Sequence, residues 1–229
     1  MHFIKSLSAA TALYALGYAL PTESPSLSGR DVPCDPISKY TTNYFLDHHI
    51  YTPPATTCLF YTFGLSATAQ RFAHGGGSDM TTIWDIWPCE LYNGDDNSGN
   101  PLRCIFKDNT MRLTYFENMS RAMAMLCKTF ATVMTDDPKN IPQPGIWGRI
   151  EEPTLKLTGN PGGQVDTIIA VNTKGDDVQD VWVRPGTKRK TMSIRSTSSE
   201  NENKALFKRQ PNECYNPDQL QKWFGDVEW

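Results

Sequence analysis

The chain has 229 residues, with 22 Lys and Arg against 25 Asp and Glu, a formal net charge of −3. That length holds one medium domain and excludes a repeat array, and that charge excludes the broad cationic surface of a dedicated nucleic-acid binder. Six cysteines, six tryptophans and 39% hydrophobic residues provide for a compact core and exclude wholesale disorder.

Residues 1–20 read as a secretory signal peptide: Lys5, a short apolar run diluted by Ser8, Thr11 and Gly17, and small residues ahead of Pro21. The run is short of the ~18 uninterrupted apolar residues a membrane span requires, so a secreted chain without an integral span is expected. Residues 21–33 form a polar linker. Thr57 to Phe63 read as a buried strand, and Gly64 interrupts it. Ser66 is the expected cap of a helix through Ala67–Ala73, which His74-Gly-Gly-Gly-Ser78 ends. The triple glycine lacks the lysine and second glycine of a phosphate loop. Asp79–Trp87 reads as a short helix stopped by Pro88, and residues 93–101 as a solvated loop without calcium-loop spacing.

The strongest periodicity predicts a helix over Met111–Met134, where Leu113, Phe116, Ser120, Met123 and Cys127 recur at spacings of three and four. A proline-rich break at 136–145 follows, then an extended Ile146–Glu151 and strands at Asp166–Asn172 and Val178–Arg184. Residues 187–210 hold seven basic against two acidic side chains among serine, threonine and asparagine, the pattern of a mobile basic arm. Asn216–Phe224 carries the signals of a short terminal helix. The expected fold is α/β with an α+β leaning: a small, partly parallel sheet flanked by helices. Cys34, Cys58, Cys89, Cys104, Cys127 and Cys214 form an even set that, after secretion, allows three disulfides in any of fifteen connectivities.

The chemistry-bearing motifs are few. There is no G-x-S-x-G elbow, H-E-x-x-H pair or Rossmann glycine pattern, and the adjacent His48 and His49 make a poor metal pair. Neither a metal nor a cofactor is called for. What stands out is aromatics beside polar groups at element ends: Tyr61-Thr62-Phe63, Trp84-Asp85, Phe116 with Ser120 one helical turn on, and Trp147 with Glu151. Aromatic walls with one carboxylate suit a flat cationic heterocycle joined to a sugar. The competing reading makes the aromatics core and Glu151 a surface acid.

These blocks, in this order, resemble the ADP-ribosyl cyclase / NAD glycohydrolase ectoenzymes of animals. Leu59-Phe-Tyr-Thr-Phe-Gly64 is similar to the family's strand ending in an aromatic–serine turn. Thr82-Ile-Trp-Asp-Ile-Trp-Pro88 is similar to its Thr-Leu-Glu-Asp-Thr-Leu-Pro signature. Thr114-Tyr-Phe-Glu-Asn-Met-Ser120 resembles the helix bearing an aromatic and a serine, and Gly145-Ile-Trp-Gly-Arg-Ile-Glu-Glu-Pro-Thr-Leu155 the block ending in the catalytic glutamate.

The resemblance, over residues 58–175, implies a catalytic domain at 34–186 and a basic arm with a short helix at 187–229. It implies Glu151 and Ser120 as catalytic, with Tyr61, Thr62, Phe63, Trp84, Asp85, Phe116, Ile146 and Trp147 as substrate-binding. A second register at the strand end exchanges Tyr61-Thr62 for Phe63-Gly64. NAD is then the substrate, with no cofactor, no nucleic-acid partner and no stated oligomeric state. The family's signature glutamate is Trp84 here, which leaves the balance of hydrolysis and cyclisation open. The same resemblance implies Cys58–Cys127 and Cys89–Cys104, leaving Cys34–Cys214. The alternative is a secreted, disulfide-stabilised binding protein that kept the scaffold and lost the chemistry. Asn118-Met119-Ser120 is a glycosylation sequon on the long helix, its Asn118 expected to face outward.

Overall fold

A computed structural model describes residues 32–75, 79–157 and 164–187. The expected signal peptide, nearly all of the linker, the basic arm, the terminal helix and Cys214 lie outside these residues. The last two linker residues belong to the fold: Val32 N–H donates to Ser98 O at 2.8 Å.

Four strands form one sheet in the order β1-β2-β3-β4: β1 (Cys58–Tyr61), β2 (Thr129–Met134), β3 (Val165–Val171) and β4 (Val178–Val183). The first three run parallel and β4 is antiparallel to β3. A parallel sheet needs long crossovers, and those crossovers carry the helices. They are α2 (Ser66–His74), α3 (Arg103–Lys107), α4 (Asn109–Leu126) and α5 (Glu152–Lys156), while α1 (Thr42–Asp47) lies ahead of β1. One sheet face sets Cys58, Phe60, Ala131, Val133, Ile168 and Ala170 in a core shared with Met119, Ala122 and Met123 of α4. The opposite face sets Leu59, Met134 and Val171 against Ala69 and Ala73 of α2. The mixed α/β architecture is the one the alternating patterns predict.

Four local expectations are corrected. The helix expected over 111–134 is two elements. Asp108 caps α4 by accepting from Met111 N–H at 2.9 Å, and the helix stops at Leu126. Cys127 is extended, Thr129 takes a positive φ of 66°, and the chain enters β2. Thr129-Phe-Ala-Thr-Val-Met134 is buried on both faces between two parallel neighbours, an environment whose near-continuous apolar run also satisfies helical spacing. The Asp79–Trp87 helix is reduced to a 3-10 turn at Ile83–Asp85, because Thr81 bridges to Cys58 and keeps the approach extended. Ser66 is the first residue of α2 rather than its cap, which is Leu65.

The fourth concerns Ile146–Glu151, which is helical. Trp147–Glu151 form a π-helix that runs straight into α5, where Pro153 follows Glu152 and has no N–H to donate back to the preceding turn. Gly148 lets the preceding loop approach this element closely. A Cβ there would lie 2.1 Å from Gln143 O, so the loop before the π-helix presses directly on it.

Cys58 is bonded to Cys127, tying β1 to the end of α4. Cys104 is bonded to Cys34, not to Cys89 as the resemblance implied, so the residual Cys34–Cys214 pairing fails as well. The reason lies in the backbone. Val32 and Asp35 donate to Ser98 O and Pro101 O, laying the first described segment along the loop before α3 and bringing Cys34 to Cys104. Cys89 is also disulfide-bonded.

Candidate functional site

The acid is buried. Glu151 closes the π-helix at 7% exposure, and its carboxyl accepts a hydrogen bond from the Ser120 hydroxyl of α4, itself 3% exposed. Burial raises the carboxyl from 4.5 to about 8, and the Ser120 hydrogen bond offsets only part of that rise. An exposed ion pair, Arg149 to Glu117 at 3.0 Å, joins the same two elements beside this contact. Neither the π-helix nor this ion pair has a signal in the sequence.

Aromatic rings continue from both partners. Phe116, one turn before Ser120, has its ring centroid 6.1 Å from that of Trp84. Trp84 donates its indole N–H to Tyr61 Oη at 2.8 Å and to Ser66 Oγ at 3.0 Å, linking the 3-10 turn to the end of β1 and the start of α2. Tyr92, which the sequence did not single out, packs 5.3 Å from Trp84 and donates its hydroxyl to Ile83 O at 2.5 Å. On the other side, Trp147 lies one turn from Glu151 and packs 5.8 Å from Phe60. Its indole N–H is buried and has no hydrogen-bond partner among the described residues.

Several predicted residues have partners that shape the fold around them. Asp85 is a capping group: its Oδ2 accepts from Thr82 N–H at 2.8 Å and from the Thr82 hydroxyl at 2.9 Å, while Oδ1 lies 3.0 Å from His74 Nε2. The aspartate thus shapes the turn that presents Trp84. Thr62 is buried and donates its backbone N–H to Met134 O at 2.9 Å, extending the pairing of β1 with β2. Ile146 is buried at the entrance to the π-helix. Phe63 is 57% exposed just past β1, outside the buried ring group, so Tyr61 is the aromatic that joins it. Asn118 does not point free into solvent: its amide donates to Tyr40 O at 3.0 Å and accepts from the Thr42 hydroxyl at 3.2 Å. Helix α1 and the turn before it cover the face that the helical wheel leaves open. Among the described residues no group of three His, Cys, Asp or Glu is placed to hold a metal, and no helix is long and apolar enough to cross a membrane.

Solved structures with a similar arrangement are ADP-ribosyl cyclases. One, Aplysia cyclase with substrate NGD and product cGDPR, aligns at 17% identity and a TM-score of 0.41, covering 57% of this chain and 53% of its own. A second, an ADP ribosyl cyclase complexed with N1-cIDPR, aligns at 19% identity and a TM-score of 0.42, covering 62% and 59%. The chain thus spans little more than half of each. No family model and no curated protein matches the sequence.

Proposed function

We propose that this chain is an enzyme that cleaves the nicotinamide–ribose bond of NAD. The observation that carries the reading is the buried Glu151 carboxyl, held by Ser120 and continued on both sides by aromatic rings. The ordered sequence blocks around both residues support it independently.

The chemistry follows from charge. The nicotinamide of NAD is a cation on the ribose and leaves as a neutral molecule, so positive charge moves to the sugar carbon as the C–N bond breaks. A carboxylate beside that carbon stabilises it in a water-poor site, and hydrogen bonds to the ribose hydroxyls orient it. Ser120 holds the carboxyl group in place. Glu151 is largely neutral in the free protein at pH 7, and an arriving pyridinium cation favours its ionised form, so productive binding releases a proton. Attack by water on the sugar carbon, with loss of a proton, gives ADP-ribose. Attack by the adenine of the same molecule gives the cyclic product.

Burial favours a second reading. Trp84, Phe116, Ser120, Trp147 and Glu151 are all less than 10% exposed, as in a sealed core. On that reading the chain is an inactive binding protein on this scaffold, and Glu151 is a satisfied interior acid. Purified protein incubated with NAD, with nicotinamide, ADP-ribose and cyclic ADP-ribose resolved by chromatography, decides between them. Turnover that disappears in Glu151→Gln supports the enzyme. Absence of turnover across NAD and its base analogues from pH 6 to 9 favours the binding protein.

A further inference from the structure

We infer that the indole N–H of Trp147 is a ligand-binding donor, one that hydrogen-bonds an oxygen acceptor of the nucleotide held at Glu151. This inference rests on the NAD-cleaving reading above. Trp147 is 3% exposed and its Nε1 has no hydrogen-bond partner among the described residues. A buried donor left unpaired is costly, so native proteins seldom leave one without a use. The sequence offers many apolar ways to fill a hole beside Phe60, and a phenyl or leucyl side chain carries no such penalty.

The placement is informative. Trp147 and Glu151 are the first and last residues of the π-helix, one turn apart, and such local widenings of a helix recur at functional sites. The ring of Trp147 packs against Phe60 with centroids 5.8 Å apart, and Gly148 lets the preceding loop lie against the backbone. A buried donor thus shares an element with the proposed catalytic acid. The unpaired buried hydroxyl of the sheet, Thr132 Oγ1, offers no partner. Thr132 alternates with Ala131 and Val133, which lie in the core that contains Trp147, so its side chain is on the far face.

The acceptor belongs either to the nicotinamide carboxamide or to the ADP-ribose portion, and the test separates these. Wild-type protein labelled with ¹⁵N is titrated with nicotinamide alone and with ADP-ribose alone. The indole resonance absent from Trp147→Phe identifies Trp147. The expected result is a downfield shift of that resonance with one of the two ligands. For the same ligand, replacing Trp147 by benzothienylalanine, which keeps the ring shape and exchanges N–H for sulfur, weakens binding about tenfold, the scale of one lost hydrogen bond. Without ligand this isosteric protein is expected to be no less stable than wild type. Equal affinity of the isosteric and wild-type proteins overturns the role of Trp147 and leaves the NAD reading standing. A drop in ligand-free stability also overturns it, by showing that the N–H has a partner in the free protein. Wild-type protein that binds neither ligand and does not cleave NAD overturns the NAD reading itself, and this inference with it.

Discussion

The Glu151 carboxyl makes a quantitative prediction about pH. A tenfold change in proton affinity is worth about 1.4 kcal/mol, so moving this group from 4.5 to about 8 separates its charged and neutral forms by roughly 5 kcal/mol. The folded value lies above the unfolded one. The folded state therefore binds more protons than the unfolded state between pH 4.5 and 8, and stability at this site is full below the window and lost as pH rises through it. Glu151→Gln removes the titration and keeps the shape. Urea unfolding at half-unit steps from pH 5 to 9 is expected to show the variant close to wild type near pH 5. Above pH 8 the variant should be more stable by a few kcal/mol. Catalysis has the opposite slope. If the ionised carboxylate is the working form, kcat/KM for NAD rises about tenfold per pH unit and levels near pH 8. The glutamine variant should lose on the order of 10²–10³ in rate, the scale of one preorganised electrostatic group. A stability difference that does not vary with pH would refute the buried, uncompensated carboxyl. A flat kcat/KM profile from pH 5 to 9 would refute its catalytic ionisation.

Other outcomes follow from the packing. Gly148→Ala should destabilise the fold by about 2–4 kcal/mol and reduce turnover sharply, since its Cβ meets the backbone oxygen of Gln143 at 2.1 Å; thermal unfolding and NAD turnover read both effects. Asn118 should carry no glycan when the protein is expressed through a secretory pathway, because both ends of its amide are committed to Tyr40 and Thr42; intact-mass measurement checks this. Asn118→Ala should cost about 1–2 kcal/mol in urea unfolding. Peptide mapping without reduction should recover a Cys34–Cys104 cross-link and no Cys89–Cys104 cross-link. Breaking the Arg149–Glu117 pair with Arg149→Ala should cost less than about 1 kcal/mol, because both side chains reach solvent; a larger loss would mean that the pair braces the π-helix.

The sequence by itself determined the alternation of strands and helices, the strand at Cys58–Tyr61 and the two at Val165–Val171 and Val178–Val183, because branched and aromatic runs between glycines and prolines leave few alternatives. It also singled out Glu151, Ser120, Phe116, Trp84 and Trp147, since a carboxylate, a hydroxyl and large rings stand out against an apolar pattern. Three-dimensional packing decided the rest. Thr129–Met134 satisfies helix and strand periodicities alike, and only its two parallel neighbours made it a strand. The preceding loop closes on the π-helix because Gly148 admits Gln143 O, and Cys34 meets Cys104 because two distant backbone segments pair. Asp85 caps its turn for a similarly local reason, the nearness of Thr82. The proton affinity of Glu151 also depends on folding: an acid in a sequence is an ordinary acid until residues far along the chain exclude water from it.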